Sequence, residues 1–273
     1  MPAPLAQPGL RDVPVRLDWR GPVALFALAA TLAAVRFDLA YAEWQSMFSG
    51  DGAHVDWLLV GLGVFFLFCA VYDVNVRLDL ATLATGFLGG TIIEIWGTRT
   101  GLWHYYTFER PPLWILPAWS MSALANERLL RLALSRLRDH PRELVIADPS
   151  GTPAWRFTHR LVFGTLFAAF LWWSRPALFE PYTWIMTALF VAAFRRAQFP
   201  RYALGLLACG VSLGAFLEIW GTTRHCWNYY DGKAPSPFPI FAHGLAGVCF
   251  WRFKETVRAA LARRGSRRPR ENP

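Results

Sequence analysis

One stretch of this chain is written twice. Gly90 to Tyr106 is matched without a gap by Gly214 to Tyr230: Glu94 recurs as Glu218, Trp96 as Trp220, Gly97 as Gly221, Thr98 as Thr222, Trp103 as Trp227, and Tyr105 and Tyr106 as Tyr229 and Tyr230. A gapless internal match of this kind marks duplicated structural units, so whatever fold the first half adopts must also suit the second.

The apolar residues decide what is duplicated. Mostly uncharged blocks run Val23 to Val35, Trp57 to Tyr72, Leu80 to Ile95, Leu113 to Leu134, Phe157 to Trp173, Tyr182 to Phe194, Tyr202 to Ile219 and Phe238 to Phe253. Several fall short of the roughly 20 residues of a bilayer crossing, and flanking aromatic and polar residues complete them. With 54% hydrophobic and 17% charged residues, the composition suits either a soluble domain or a small multispanning protein. The blocks select the second. The expected fold is an all-α integral membrane protein of about eight transmembrane helices, built as two parallel four-helix repeats, because an even number of spans per copy preserves orientation. Residues 1–21 then form a cytoplasmic N-terminal segment, 22–135 the first repeat, 136–156 a basic linker, 157–256 the second repeat and 257–273 a basic tail.

The net charge of +9 invites a nucleic-acid reading, but the basic residues segregate by loop. One side carries 22 of them; the other has only Arg99, Arg110, Arg175, Arg224 and Lys233. The positive-inside rule places both termini in the cytoplasm and both motif loops on the outer face of the inner membrane. No nucleic-acid partner is expected, and the tail from Arg263 to Arg270 reads as an anchor to anionic membrane lipid. Residues 1–20 are Pro-rich and mixed in charge, so the first apolar block reads as a retained span. The four cysteines include no close pair, which implies neither a disulfide framework nor a zinc site. Arg36 and Asp38 read as an interfacial pair, and Asp73, Arg77 and Asp79 as a solvated inner loop.

Gly86, Gly90, Glu94 and Gly97 share one helical face, as do Gly210, Gly214, Glu218 and Gly221. Small residues on such a stripe allow close helix approach, which predicts that spans three and seven meet near a pseudo-two-fold axis. The Gly210-Val-Ser212-Leu-Gly214 segment matches a nucleophile-elbow pattern, but within a span it reads as helix packing.

An ionisable group inside a span is costly, which makes Glu94 and Glu218 functional candidates. A carboxylic acid kept neutral in an aromatic-lined site is what protonation of an alkene requires, and the ring faces of Trp and Tyr stabilise a carbocation. The structural alternatives are ion pairs with Arg99 and Arg224, or hydrogen bonds to the amides of each Trp-Gly-Thr turn. His54, His140 and His159 read as loop or interface residues, and His243 as a packed residue within a span rather than a metal ligand. No metal or cofactor is expected.

Gly101-Leu-Trp103-His-Tyr105, followed by Leu116-Pro117-Ala118-Trp119-Ser-Met121, resembles two groups of membrane carotenoid-biosynthesis proteins: the lycopene cyclase domain and the carotenoid hydratase family. The resemblance implies proton-driven, cofactor-independent chemistry on a long polyene. Cyclases of that type carry adjacent carboxylates just after the proline, where this chain has Ala118-Trp119 and Ile240-Phe241. The acid and base roles therefore fall to Glu94 and Glu218. Trp96, Trp103, Tyr105, Tyr106, Trp119, Trp220, Trp227, Tyr229, Tyr230 and His243 would line a site for a lipid-soluble isoprenoid, in a cavity among spans three, four, seven and eight. The competing class is a non-enzymatic transporter or assembly factor for a lipid or small molecule. A partner subunit or a homodimer stays open.

Overall fold

The structure is a computed structural model that describes residues 57–136 and 152–266. The segment 1–21, the first expected span with Arg36 and Asp38, His54, His140, most of the basic linker and the end of the tail lie outside the described residues.

The described chain is mostly helical. Seven α-helices run Trp57–Val71 (α1), Val76–Arg99 (α2), Leu116–Arg136 (α3), Pro153–Trp173 (α4), Pro181–Phe194 (α5), Pro200–Thr223 (α6) and Pro237–Ser266 (α7). Two of them, α2 and α6, are long and apolar enough to cross a membrane by length and composition. The helix starts follow local chemistry. Asn75 caps α2 by accepting from the Leu78 amide, Thr152 caps α4, and α4, α5 and α6 each begin on a proline, whose fixed φ suits the first turn. The expected tail is partly helix, since α7 continues through Ser266.

The purely helical expectation fails at one place. Trp103–Tyr105 (β1) and Trp227–Tyr229 (β2) pair as antiparallel strands, with Trp103 opposite Tyr229, His104 opposite Asn228 and Tyr105 opposite Trp227. Amides just outside the ladder extend it, from Tyr106 to the Cys226 carbonyl and from Tyr230 to the Leu102 carbonyl. Alternation along each strand buries the Trp and Tyr and turns His104 and Asn228 outward. Hydropathy averaged over a window misses a three-residue strand that exists only because its copy lies beside it.

The helix packing also corrects an expectation. The glycine stripes do not bring α2 onto α6. A Cβ on Gly86 or Gly90 would meet Trp119 on α3, and one on Gly210 or Gly214 would meet Gly244 or His243 on α7. Each small-residue stripe thus seats the next helix of its own copy, while α2 also packs on α7 and α6 on α3. Outer helices α4 and α5 enclose an aromatic core of Phe163, Phe170, Trp173 and Phe194, which reaches Trp96 and Trp103.

At the end of the bundle remote from the strands, Arg77 is exposed as expected, but the two aspartates of the Asp73–Asp79 segment are not free in solvent. Asp79 is 8% exposed and accepts from Arg128 at 2.7 Å, and Arg131 donates to Asp73 at 2.8 Å. Lys254 of α7 pairs with Glu127 of α3 and donates to Thr82 of α2 at 2.8 Å. His159, expected in a loop or interface, is fully buried in α4 against Phe163.

Candidate functional site

Both copies of the motif end their helix in the same way. The Leu102 amide donates to the Gly97 carbonyl and the Cys226 amide to the Gly221 carbonyl, each at 2.9 Å, closing a Schellman turn whose pivot has a positive φ. That pivot is Gly101 in the first copy, with φ 72°, and His225 in the second, with φ 55°. The reversal folds the following strand back along its own helix. The Trp103 ring then lies across Gly97 and the Trp227 ring across Gly221, where a Cβ would come within 1.8 Å and 2.0 Å of ring carbons. Only glycine leaves room for this crossing.

The crossing delivers the strand side chains to the glutamates. Glu94 is 2% exposed; its Oε2 accepts from Trp103 Nε1 at 3.1 Å, and its Oε1 from the Tyr105 hydroxyl at 2.9 Å and Trp119 Nε1 at 2.8 Å. Glu218 is 3% exposed; its Oε2 accepts from Trp227 Nε1 at 3.0 Å, the Tyr229 hydroxyl reaches it at 2.8 Å, and its Oε1 lies 3.0 Å from His243 Nε2. Neither expected alternative describes these carboxyl groups. They are held by side chains of the aromatic loop and the next helix, not by Arg99 or Arg224 or by the amides of their own turns.

Between the two glutamates the halves meet at a stacked ring pair. Trp119 and His243 occupy equivalent positions in the two copies and stack with centroids 5.2 Å apart and planes 17° apart. Across the strands, the Trp103 ring approaches Tyr229 at 6.3 Å, and Tyr105 approaches Trp227 at 6.1 Å. Burial pushes the Tyr105 and Tyr229 hydroxyls well above the usual phenol range, and the charge of Glu94 on Tyr105, and of Glu218 on Tyr229, adds to the rise. Both phenols therefore stay hydrogen-bond donors across neutral pH.

The frame is nearly symmetric, but its chemistry is not. Indole N–H is a donor only, so Trp119 holds Glu94 but exchanges no proton with it. Imidazole both gives and takes a proton, so Glu218 with His243 forms a carboxylate–imidazole pair in which Glu218 orients the ring. The His243 Nδ1 is buried and has no hydrogen-bond partner among the described residues.

Of the residues expected to line a site, Glu94, Trp103, Tyr105, Trp119, Glu218, Trp227, Tyr229 and His243 come together. Trp96 stands one layer out, donating from Nε1 to Thr183 on α5 at 2.9 Å and meeting Trp103 edge-on. Trp220 lies beside Trp227 under the Arg224 guanidinium, and Tyr106 is 43% exposed. The Tyr230 hydroxyl turns away to the Trp173 carbonyl at 2.7 Å. Trp173 was missed by sequence reasoning. It closes the α4 end of α2–β1 by packing on Trp96, Trp103 and Tyr229 and donating to Ser236 at 2.9 Å. No signal pointed to it, because it stands outside both copies of the motif at the end of an ordinary apolar block.

No group of three or more His, Cys, Asp or Glu side chains suited to a metal occurs among the described residues. No protein-family model, curated protein or solved structure matches the chain.

Proposed function

We propose that this chain is a membrane enzyme of isoprenoid or carotenoid metabolism that adds a proton to a polyene, in a hydration or a cyclisation that needs no redox cofactor. The observation that carries the reading is the Glu218–His243 contact at 3.0 Å, part-buried and set among Trp and Tyr rings where the two copies of the motif meet. Protonation of a terminal double bond places positive charge on the adjacent carbon. In a hydration, water then bonds to that carbon and loses a proton to the base; in a cyclisation, a second double bond attacks it and the neighbouring carbon loses the proton. Glu218 and His243 exchange that proton, while Glu94 and the faces of Trp103, Trp119 and Trp227 stabilise the cation. The resemblance of the Gly101–Tyr105 and Leu116–Met121 segments to carotenoid hydratases and cyclases supports the substrate class. In the same reading, the chain crosses the inner membrane eight times as two parallel repeats, with both termini cytoplasmic.

The pigment profile of lycopene-producing cells, with and without the chain, tests the reading. A product heavier by one water identifies a hydratase, and an isomer of unchanged mass a cyclase. A Glu94→Gln, Glu218→Gln double variant that remains folded in membranes loses the product; retained product sinks the assignment.

A second reading is a non-enzymatic transporter or assembly factor in which the glutamates brace the two halves. It is favoured by the three polar side chains that hold each carboxyl group within its own copy, as a structural pin would, and by the Trp119–His243 stack through which the two pinned copies meet. Flux of an unaltered ligand into vesicles distinguishes it.

A further inference from the structure

Among the described residues, each copy carries one buried arginine at the end of the bundle remote from the strands. The offset that relates Glu94 to Glu218 also relates Arg128 to Arg252, which are 1% and 7% exposed. Their partners differ. Arg128 donates from Nη2 to Asp79 at 2.7 Å and from Nε to the Cys69 carbonyl at 3.1 Å, so a carboxylate balances its charge. Arg252 donates only from Nη2, to the carbonyls of Arg196 at 3.2 Å and Gln198 at 2.6 Å. Its Nε is buried without a hydrogen-bond partner, while Nη1 makes no bond and is not enclosed. No carboxylate pairs with it among the described residues; Glu255, on the same helix, is held by Arg258 at 2.7 and 2.9 Å instead.

The two helix starts explain the difference. In the first copy Asp79 stands in the opening turn of α2, where its Oδ2 also accepts from the Asn75 amide at 2.8 Å, and Asn75 caps the helix. In the second, α6 starts at the equivalent residue, but Ala203 stands in the place of Asp79 and Phe199 in that of Asn75. Helix α6 has no side-chain cap and no acid in its first turn, and the Arg252 guanidinium lies against the Gln198 carbonyl just before it. A helix N-terminus and a buried guanidinium thus add their positive potentials in the second copy, where a single carboxylate offsets both in the first. A buried charge without an opposite charge is costly, which favours an anion at this place.

A third group points the same way. His159 of α4 is 0% exposed, and neither ring nitrogen has a hydrogen-bond partner among the described residues. It packs on Phe163, which stacks on Phe194 at the end of α5, just before the Arg196 carbonyl that meets Arg252. The charges of Arg252 and Arg160 both act on the ring. In either neutral tautomer one ring nitrogen is a donor. Arg160, Arg195 and Arg196 are exposed. So are Trp155, Phe157 and Leu161 on α4, at 38%, 67% and 57%. The cations suit a phosphate, and the apolar face beside them suits acyl chains, for which a free ion has no use.

We propose that Arg252, His159 and the start of α6 bind the phosphate of an anionic phospholipid whose acyl chains lie along the exposed face of α4. The site rests on the placement of the chain in a membrane and not on polyene chemistry. Nη1 of Arg252 meets the phosphate at the surface, and Nε and a His159 nitrogen close on it with the small side-chain turns that commonly accompany binding. The ligand supplies to Arg252 the negative charge that Asp79 supplies to Arg128.

The full chain in dodecyl maltoside is titrated with dioctanoyl phosphatidylglycerol, dioctanoyl phosphatidylcholine or inorganic phosphate, and its thermal unfolding midpoint is followed. Phosphatidylglycerol raises the midpoint along a titration curve, as a ligand of the folded state does, and phosphatidylcholine, whose choline offsets its phosphate, does not. Arg252→Gln moves the titration to lipid concentrations about tenfold higher or more, the effect of one charged hydrogen bond. Arg99→Gln, with the same loss of charge near the strands, leaves it in place. Ala203→Asp gives α6 the carboxylate that α2 has, and the response to phosphatidylglycerol falls. A purely structural Arg252 would lower every midpoint alike and leave the titration where it was; that result, or an equal response to phosphatidylcholine, overturns the site. An equal response to inorganic phosphate overturns the lipid as its source and assigns the site to a soluble phosphate. Should Arg252→Gln or Ala203→Asp fail to fold, replacing the exposed Arg195 and Arg196 together by Gln weakens the response by about tenfold, and an unchanged titration overturns the site. No pigment is read, so the result stands apart from the fate of the polyene reading.

Discussion

His243 Nε2 sits 3.0 Å from Glu218 Oε1, in the place that Trp119 Nε1 takes 2.8 Å from Glu94 Oε1. The same cradle occurs twice, with a proton carrier in the second copy where the first has a fixed donor. The proposed chemistry is therefore lopsided. His243→Phe keeps the stack on Trp119 but removes the carrier, and product formation falls by about 10²- to 10⁴-fold, the usual effect of losing a general acid or base. Trp119→Phe lowers it far less. Chromatography of pigments from cells expressing each variant at matched membrane levels makes the comparison.

Glu94 accepts from Trp103, Tyr105 and Trp119, so an apolar replacement orphans three buried donors at once. Glu94→Leu destabilises the fold by about 1–3 kcal/mol for each donor left unpaired. Glu94→Gln costs less, because its carbonyl oxygen keeps part of the set. Thermal unfolding in detergent ranks the two variants, and equal midpoints would remove the bracing role.

Gly97 and Gly221 lie under tryptophan rings. Alanine at either position forces the ring off its glutamate and costs about 1–3 kcal/mol as overpacking. Gly164 on α4 has nothing within 4 Å of a Cβ, and alanine there stabilises the helix by about 0.5–1 kcal/mol. The three unfolding midpoints shift in opposite directions accordingly.

His225 holds φ 55° where the first copy has glycine. His225→Gly relieves left-handed strain of about 1 kcal/mol and raises the unfolding midpoint, and Gly101→Ala imposes a similar strain and lowers it. His225 is exposed, so little contact is lost in the exchange.

Tyr105 and Tyr229 have folded pKa values raised by burial and by the adjoining glutamates. In the unfolded chain they ionise near 10, so their contribution to stability is fully present below that pH. It is lost as the pH rises through 10 toward the folded values. Phenolate absorbance in the near ultraviolet, compared with Tyr105→Phe and Tyr229→Phe, shows two phenols ionising only as the protein unfolds. Early ionisation of either would place it in contact with solvent.

The repeat and its paired glutamates were legible in the sequence because the motif is local, whereas Gly97 and Gly221 read only as part of a packing stripe and the helix-to-strand reversal was not foreseen. Glu94 and Trp103 are nine residues apart, and a glycine stripe reads off a helical wheel. The stripes did not reveal which helix they seat, since a small-residue face fits any close neighbour; the short connection within each copy settled it in favour of α3 and α7. Tertiary structure alone decided what lies between the halves. The strand pairing of Trp103 with Tyr229, the Trp119–His243 stack, the Trp96 bond to Thr183 and the Lys254–Glu127 pair join residues 87 to 127 positions apart. No periodicity encodes contacts of that range. They follow from folding two copies of one unit against each other, which brings together strands, rings and charges that are far apart in the chain.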